Sequence, residues 1–305
     1  MIYNFTENQK NKIIEKWGND FYSKILRDIE IYSGKWGLSD FEFVEYYSIN
    51  FIFFCKSGLY GDCVLKIGGS IQDYEFVAEY NMLREYNGRK FVKAYEGDID
   101  IANKKKVMLI ERCIPGKRLA EEKSFEKRLA VFSELYNGLH IEPKNTGIYD
   151  SYEKWVCDAA EECINSQKDL KEMGVQMQKA KNIFLEIYKD YNKQMLLHID
   201  IFGDNIVSDN GNYRLIDPKG VIGDPVFETG QFIFNECCEN SIEPEKAEII
   251  FDYLEKSLNI PEKILRYCFY IETIRFICYY TAKYGAEQFD IDRANFAEAV
   301  MNKEK

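Results

Sequence analysis

Two histidines in 305 residues leave little of the chemistry that histidine usually carries. A transition-metal hydrolase gathers several His or carboxylate ligands at one ion, and this chain offers only His140 and His198. Its nine cysteines are odd in number and form no CxxC pair, which argues against a zinc site or a disulfide framework and for thiols in a reducing compartment. No run approaches the roughly 18 apolar residues of a membrane span. The opening MIYNFTENQKNK has no basic-then-apolar leader, so a cytoplasmic protein is expected. Positive charge is scarce as well: 40 Lys and Arg against 51 Asp and Glu give a net charge of -11. That balance excludes nucleic acid and an anionic membrane as main partners and leaves a cationic small molecule compatible. Only six prolines occur, and no Pro-rich linker, repeat or low-complexity run breaks the chain.

What is present is apolar and aromatic residue, 46% and 15% of the chain, enough for two lobes at a length where one core rarely suffices. Ile13, Ile14, Trp17, Phe21, Ile25 and Ile29 recur at helical spacing and predict one amphipathic helix over 7–30, capped by Thr6. The runs FIFFCKS and DCVLKIG, separated by GLYG, predict an antiparallel hairpin. A helix over 72–87, closed by Gly88, and two strands in KFVKAYEGDID and KKKVMLIER follow. From residue 124 helices dominate: 124–140, 151–167, 171–195, 229–238, 243–257 and 262–284. The expected fold is α+β and bilobal, with a small antiparallel-sheet lobe over 1–112 and a mostly helical lobe over 113–305. A cleft at such a joint is the default place for a ligand.

One stretch departs from the helical pattern. LLHIDIFGDNIVSDNGNYRLIDPKG holds His198, Asp200, Asn205 and Asp217, and its Asn-Gly dipeptide predicts a hairpin running out along NIVS and back along YRLI. A three-residue loop puts Asn205 opposite Asp217, and a two-residue loop leaves them one position out of register. In both cases an Asn carbonyl and an Asp carboxylate face one ion. Two hard oxygen ligands suit Mg2+, which keeps waters and is shared with substrate phosphates. Asp200, upstream, can accept or orient the proton of an attacking hydroxyl, the arrangement of phosphoryl transfer by positioning and charge neutralisation. His198 is read as holding this loop by hydrogen bonds, and His140, in YNGLHIEP, as closing a helix.

The spacing His, Asp two residues on, Asn five further and Asp twelve after that resembles the aminoglycoside phosphotransferase family of small-molecule kinases, which share the protein-kinase fold. IDPKGVIGDP resembles most the streptomycin and hydroxyurea phosphotransferase branch. The resemblance implies a nucleotide-binding first lobe and a second lobe with the catalytic loop and acceptor site. It implies ATP or GTP with Mg2+, a strand lysine at the phosphates and a helix glutamate beside it. Lys66, the one charge within CVLKIG, fits the lysine. Glu79 shares a face with Phe76, Tyr80 and Leu83, where a carboxylate needs a partner, and is chosen over Glu75. VMLIERCIPG resembles the hinge that holds adenine, through the Glu111 carbonyl and the Cys113 amide.

The pattern also departs from the family. Ile199 stands where the family has Gly between the histidine and the aspartate, and Glu228 stands where it has an Asp that braces the catalytic loop. The segment YYSIN carries no glycine and leaves Ser48 and Asn50 as phosphate contacts. Asp224 is read as structural support and Lys219 as a phosphate contact. The acidic segments DAAEEC and NECCEN are expected to line the acceptor, which suits a cationic one such as an aminoglycoside. The reading is a small-molecule kinase acting as a monomer or homodimer. Its alternatives are a choline, homoserine or sugar kinase of the same fold, or a nucleotide-binding protein with little phosphotransferase activity.

Overall fold

Gly18 interrupts the predicted first helix. Its φ of 87° lies outside helical space, so the chain forms α1, Glu7–Trp17, and then α2, Asn19–Trp36. Thr6 caps α1 in a reciprocal capping box with Gln9. The computed structural model describes residues 3–45, 49–69, 73–165, 171–285 and 287–303. The chain divides into two units, Met1–Gly116 and Lys117–Lys305.

The first unit continues with β1 (Leu38–Phe43), β2 (Phe51–Ser57), β3 (Gly61–Ile67), α3 (Asp73–Tyr86), β4 (Ala94–Asp100) and β5 (Lys105–Glu111). These strands form one antiparallel sheet in the order β1-β2-β3-β5-β4. Alternation sorts its two faces. Phe51, Phe53, Leu65, Ile67, Val107 and Leu109 pack with Ile13, Ile25, Ile29 and Tyr32 of α1 and α2 in one buried cluster. Lys66, between Leu65 and Ile67, therefore points to the other face. There α3 supplies Phe76, Glu79, Met82 and Leu83 as buried residues.

A short strand β6 (Pro115–Arg118) precedes α4 (Phe125–Tyr136), β7 (Asp150–Ser151), α5 (Tyr152–Asn165), α6 (Lys171–Ile187), β8 (Met195–Leu197), β9 (Ile206–Asp209), β10 (Asn212–Leu215) and β11 (Val221–Gly223). Then come α7 (Thr229–Cys237), α8 (Pro244–Leu258), α9 (Glu262–Tyr284) and α10 (Gln288–Met301). Three sequence expectations change here. The helix predicted to reach residue 195 ends at Ile187, because Met195, Leu196 and Leu197 pair with β11. The helix predicted to 140 ends at Tyr136, with Gly138 in left-handed space at φ 72°. Helix α10 lies beyond the last predicted one.

Helix α9 organises the second unit, packing against α5, α6, α7, α8 and α10. Packed against these five helices over most of its length, it buries charge as well as apolar residues. Arg266 is held by Glu262 at 2.6 Å and Glu248 at 2.7 Å, and Glu272 by Arg275 at 2.5 Å. A buried charge survives only with such partners. All nine cysteines are free. Among the described residues, no helix is long and apolar enough to cross a membrane.

Candidate active site

In the first unit the ammonium of Lys66 contacts both carboxylate oxygens of Glu79 at 2.7 Å. The two residues are 3% and 5% exposed. Strand alternation turns Lys66 away from the aromatic cluster, and helical spacing sets Glu79 on the face of α3 that carries Phe76 and Leu83. Neither residue could be buried alone at reasonable cost, and together each neutralises the other. Glu75 is only half-buried. Glu111, closing β5, pairs with Cys63, and its carboxylate accepts the Lys93 amide at 3.0 Å. Cys113 is buried, just before the cis peptide bond of Ile114 and Pro115. Asn50 accepts the Gly69 amide at 3.3 Å through its side chain. Ser48 lies outside the described residues.

The second unit gathers His198, Asp200, Asn205, Asp217, Lys219, Asp224 and Glu228 around one loop. Strand β8 leads into His198, which is fully buried, and its Nε2 bonds the Ile216 carbonyl at 2.8 Å. The Asp200 amide lies 3.3 Å from His198 Nδ1, and the Lys219 amide donates to the His198 carbonyl at 3.0 Å. One imidazole thus ties the loop that carries Asp200 to the segment that carries Asp217. Asn205 Nδ2 donates to the Asp200 carbonyl at 2.9 Å and to Asp200 Oδ2 at 3.2 Å. With its nitrogen committed in this way, Asn205 presents its carbonyl oxygen in another direction. Gly203 lets the loop approach its neighbour closely, since a Cβ there would lie 2.9 Å from the Ala120 backbone.

The hairpin has the two-residue form. Asp209 pairs with Asn212, and Asn210 and Gly211 turn at φ 48° and 86°. Both positive values match a type I′ turn. The Ile216 amide then donates to the Asn205 carbonyl at 3.0 Å, so Asp217 sits one position out of register with Asn205. Asp217 itself has φ 55°. An Asn carbonyl and an Asp carboxylate are hard donors too few to cage an ion alone, which fits Mg2+ completed by waters and phosphate oxygens. Among the described residues no cluster of three or more His, Cys, Asp or Glu side chains could hold a metal without such help.

Glu228 is fully buried and accepts two successive amides, His198 at 2.5 Å and Ile199 at 2.8 Å. Ile199 occupies left-handed space at φ 56°, where a β-branched side chain is strained. The longer Glu side chain reaches both amides of that unusual turn. Asp224 accepts the amides of Val226 and Lys193 and so ties the following turn to the approach to β8. Asp200 is half-buried. Burial pushes its carboxyl above the ordinary carboxylate range, while Lys219 and His198 oppose that shift. A carboxyl raised in this way is a better proton acceptor once ionised.

Sequence reading missed several groups that surround this loop. His140 does not close a helix; it lies past α4, 7% exposed at its side chain, with Nε2 3.6 Å from Glu228 Oε1. Arg275, paired with Glu272, contributes positive charge at Asp200. Nothing in local sequence marks either, because each meets the loop only through tertiary packing. Of the acidic segments, Asp158 pairs with Lys154 at 3.0 Å on an exposed face, and Glu236 pairs with Arg128 at 2.8 Å. Glu239 alone of these carboxylates lines the cavity beside α9.

No family model matches the sequence, and no curated protein matches it either. Solved structures do match. A thermostable variant of aminoglycoside phosphotransferase APH(4)-Ia, in a ternary complex with ADP and hygromycin B, superposes with a TM-score of 0.63. It is 16% identical, and the match covers 89% of this chain and 97% of that one. The fold is the one shared by small-molecule kinases. Choline kinase LicA from Streptococcus pneumoniae gives 0.59 at 15% identity, over 92% of this chain and 99% of that one. Choline kinase from Cryptosporidium parvum gives 0.64 at 13%, covering 86% and 88%. The α+β kinase-like class expected from the sequence stands.

Proposed function

We propose that this chain is a cytoplasmic small-molecule kinase that uses ATP or GTP with Mg2+ to phosphorylate a hydroxyl of a small acceptor. The observation that carries the reading is the buried Lys66–Glu79 pair in a chain whose other unit hydrogen-bonds Asp200 to Asn205. Lys66, held by Glu79, neutralises charge on the α and β phosphates. The backbone at Glu111 and Cys113 receives the base, and Lys219 adds positive charge near the transferred group. Asn205 and Asp217 would hold Mg2+, which would supply charge neutralisation to the phosphates. Asp200 accepts the proton of the acceptor hydroxyl as its oxygen bonds the γ-phosphorus. The bond from that phosphorus to the bridging oxygen breaks, and the nucleoside diphosphate leaves.

The resemblance of IDPKGVIGDP to streptomycin and hydroxyurea phosphotransferases favours an aminoglycoside-like acceptor, and the acidic charge agrees with a cation. The two kinds of solved neighbour, one holding hygromycin B and the others choline kinases, support the same breadth. A screen of hydroxylated amines with both nucleotides, read by product mass, tests the proposal. A phosphorylated product from the wild type and none from Asp200→Ala is expected. Equal behaviour of the two proteins across the panel would sink it. ATP raising the melting temperature while no acceptor is consumed supports a nucleotide-binding scaffold instead.

A further inference from the structure

Helices α5 and α9 pack against each other inside the second unit. Tyr152, Val156, Ala160 and Cys163 recur every third or fourth residue along α5 and are all buried, so they form its inner face. Cys278 lies on the buried side of α9 with Ile274, Ile277 and Thr281. Both cysteines are 3% exposed, and their Sγ atoms stand 3.0 Å apart although 115 positions separate them in the chain. Packing alone does not bring two sulfurs so close, since carbon atoms, which are smaller, settle at roughly 3.5–4.0 Å. A thiol hydrogen bond joins the two sulfurs, and Cys278 also faces the Met173 carbonyl of α6 at 3.9 Å.

Two other pairs of cysteines are neighbours, and neither has this form. Cys55 and Cys63 are cross-strand partners in β2 and β3, but the Cys63 thiol donates to the Gly61 carbonyl at 3.4 Å. Burial pushes both thiols up, Cys55 to about 12 and Cys63 to about 11. Cys237 and Cys238 are adjacent in sequence, yet the Cys237 thiol donates to the Ile233 carbonyl at 3.1 Å, and burial raises both. In the α5–α9 pair the two thiols differ from each other. The hydrogen bond from Cys278 holds the Cys163 thiol below its ordinary range although burial opposes this, and the same contact together with burial pushes Cys278 up. One sulfur is inclined to ionise, and the other keeps its proton beside it. The thiolate is the form that reacts.

The geometry points to Cys163 and Cys278 as an oxidative modification site, a dithiol that a small hydroperoxide converts into a disulfide joining α5 to α9. With hydrogen peroxide, the Cys163 thiolate attacks one oxygen, the S–O bond forms and the O–O bond breaks. The departing hydroxide takes up the proton that Cys163 lost, and Cys163 is left as a sulfenic acid. The Cys278 sulfur then attacks that sulfur, the S–S bond forms and the S–O bond breaks, and hydroxide leaves with the Cys278 proton as water. Two thiols give up two electrons, and one peroxide becomes two waters. The sulfurs close by only about 1 Å to reach the disulfide length of about 2.05 Å. Their burial admits a small oxidant and shuts out a bulky one such as glutathione disulfide. The bond fixes α5 to α9 one turn beyond Arg275, whose guanidinium lies 5.7 Å from the Trp155 ring of α5. The site stands apart from the kinase reading.

The test exposes the whole folded chain, reduced and then freed of reductant, to hydrogen peroxide. Remaining thiols are blocked with N-ethylmaleimide in urea, and the unreduced digest is mapped by mass. A peptide pair linked through Cys163 and Cys278, lighter by two hydrogens than its parts and separated by dithiothreitol, is expected. It should form at least about tenfold faster than any link between Cys55 and Cys63. Cys278→Ser should let Cys163 accumulate as a sulfenic acid that dimedone traps on unfolding, and Cys163→Ser should leave Cys278 unmodified. Wild-type protein in which both thiols stay open to alkylation overturns the proposal. So does a Cys163–Cys278 link that forms no faster than other links, or only in urea, and so does Cys163 passing to sulfinic acid while Cys278 stays free. The wild-type map decides the matter even where a variant fails to fold.

Discussion

The carboxylate of Glu228 accepts the amide of Ile199 at 2.8 Å and holds that β-branched residue at φ 56°. The same carboxylate takes the preceding His198 amide, so one buried side chain fixes the turn from which Asp200 emerges. Left-handed backbone at a non-glycine residue costs of order 1–3 kcal/mol and persists only where its surroundings impose it. Here the imposing groups are Glu228 and the apolar contacts of Ile199, which is 2% exposed.

Removing that brace should be expensive. Glu228→Ala orphans two buried amides, each worth about 1–3 kcal/mol, so urea denaturation should show a loss of at least about 2 kcal/mol. Turnover should fall further than nucleotide affinity. Glu228→Gln retains one accepting oxygen and should fall between. A Glu228→Ala protein as stable and active as wild type would remove the positioning role.

At Ile199 two effects oppose each other. Glycine relieves roughly 1–2 kcal/mol of left-handed strain, while deletion of a buried Ile side chain costs about 2–5 kcal/mol. Burial wins, and Ile199→Gly is expected to lower stability by about 1–3 kcal/mol with the loop geometry retained. A stabilised variant would show that strain dominates.

The Lys66–Glu79 pair separates stability from function. Lys66→Met and Glu79→Leu alone each strand a buried charge, at about 3–5 kcal/mol. The double substitution should recover most of that loss in a denaturation cycle, because no charge remains unpaired. Phosphotransfer should stay absent in all three. Activity in the double variant would free Lys66 of any role at the phosphates.

Asp200 and Asp217 should fail differently. Asp200→Asn is expected to lower kcat by about 100-fold or more, the scale of general acid–base catalysis, with little change in nucleotide affinity. Asp217→Ala should weaken Mg-nucleotide binding itself, and added Mg2+ should recover part of it. Matching profiles for the two would contradict the division of labour between base and metal ligand.

Acid stability should follow two surface-edge pairs of the second unit. The hydrogen bond from Arg266 holds the Glu248 carboxyl below its ordinary 4.5, and the one from Lys179 does so for Glu298. Groups lowered on folding contribute stability that is complete above the unfolded value and disappears as pH falls through the folded one. Melting temperature should therefore drop as pH falls below about 4.5, and Glu248→Gln with Glu298→Gln should flatten that slope.

Local rules determined much of this protein. Period-two alternation around Lys66, the helical face of Glu79, the Thr6 cap and the Asn-Gly turn are properties of a few neighbouring residues, and each was legible in the chain. The order of Lys66, Glu79, Asp200, Asn205 and Asp217 was legible in the same way. Tertiary structure decided the rest. Gly18 ends a helix that apolar spacing alone would continue, and Met195–Leu197 becomes a strand only because β11 offers it hydrogen bonds. The reach of Glu228 to the Ile199 amide and the approach of His140 to Glu228 join residues tens of positions apart. No pattern within a short window encodes such meetings, since they depend on how whole helices pack.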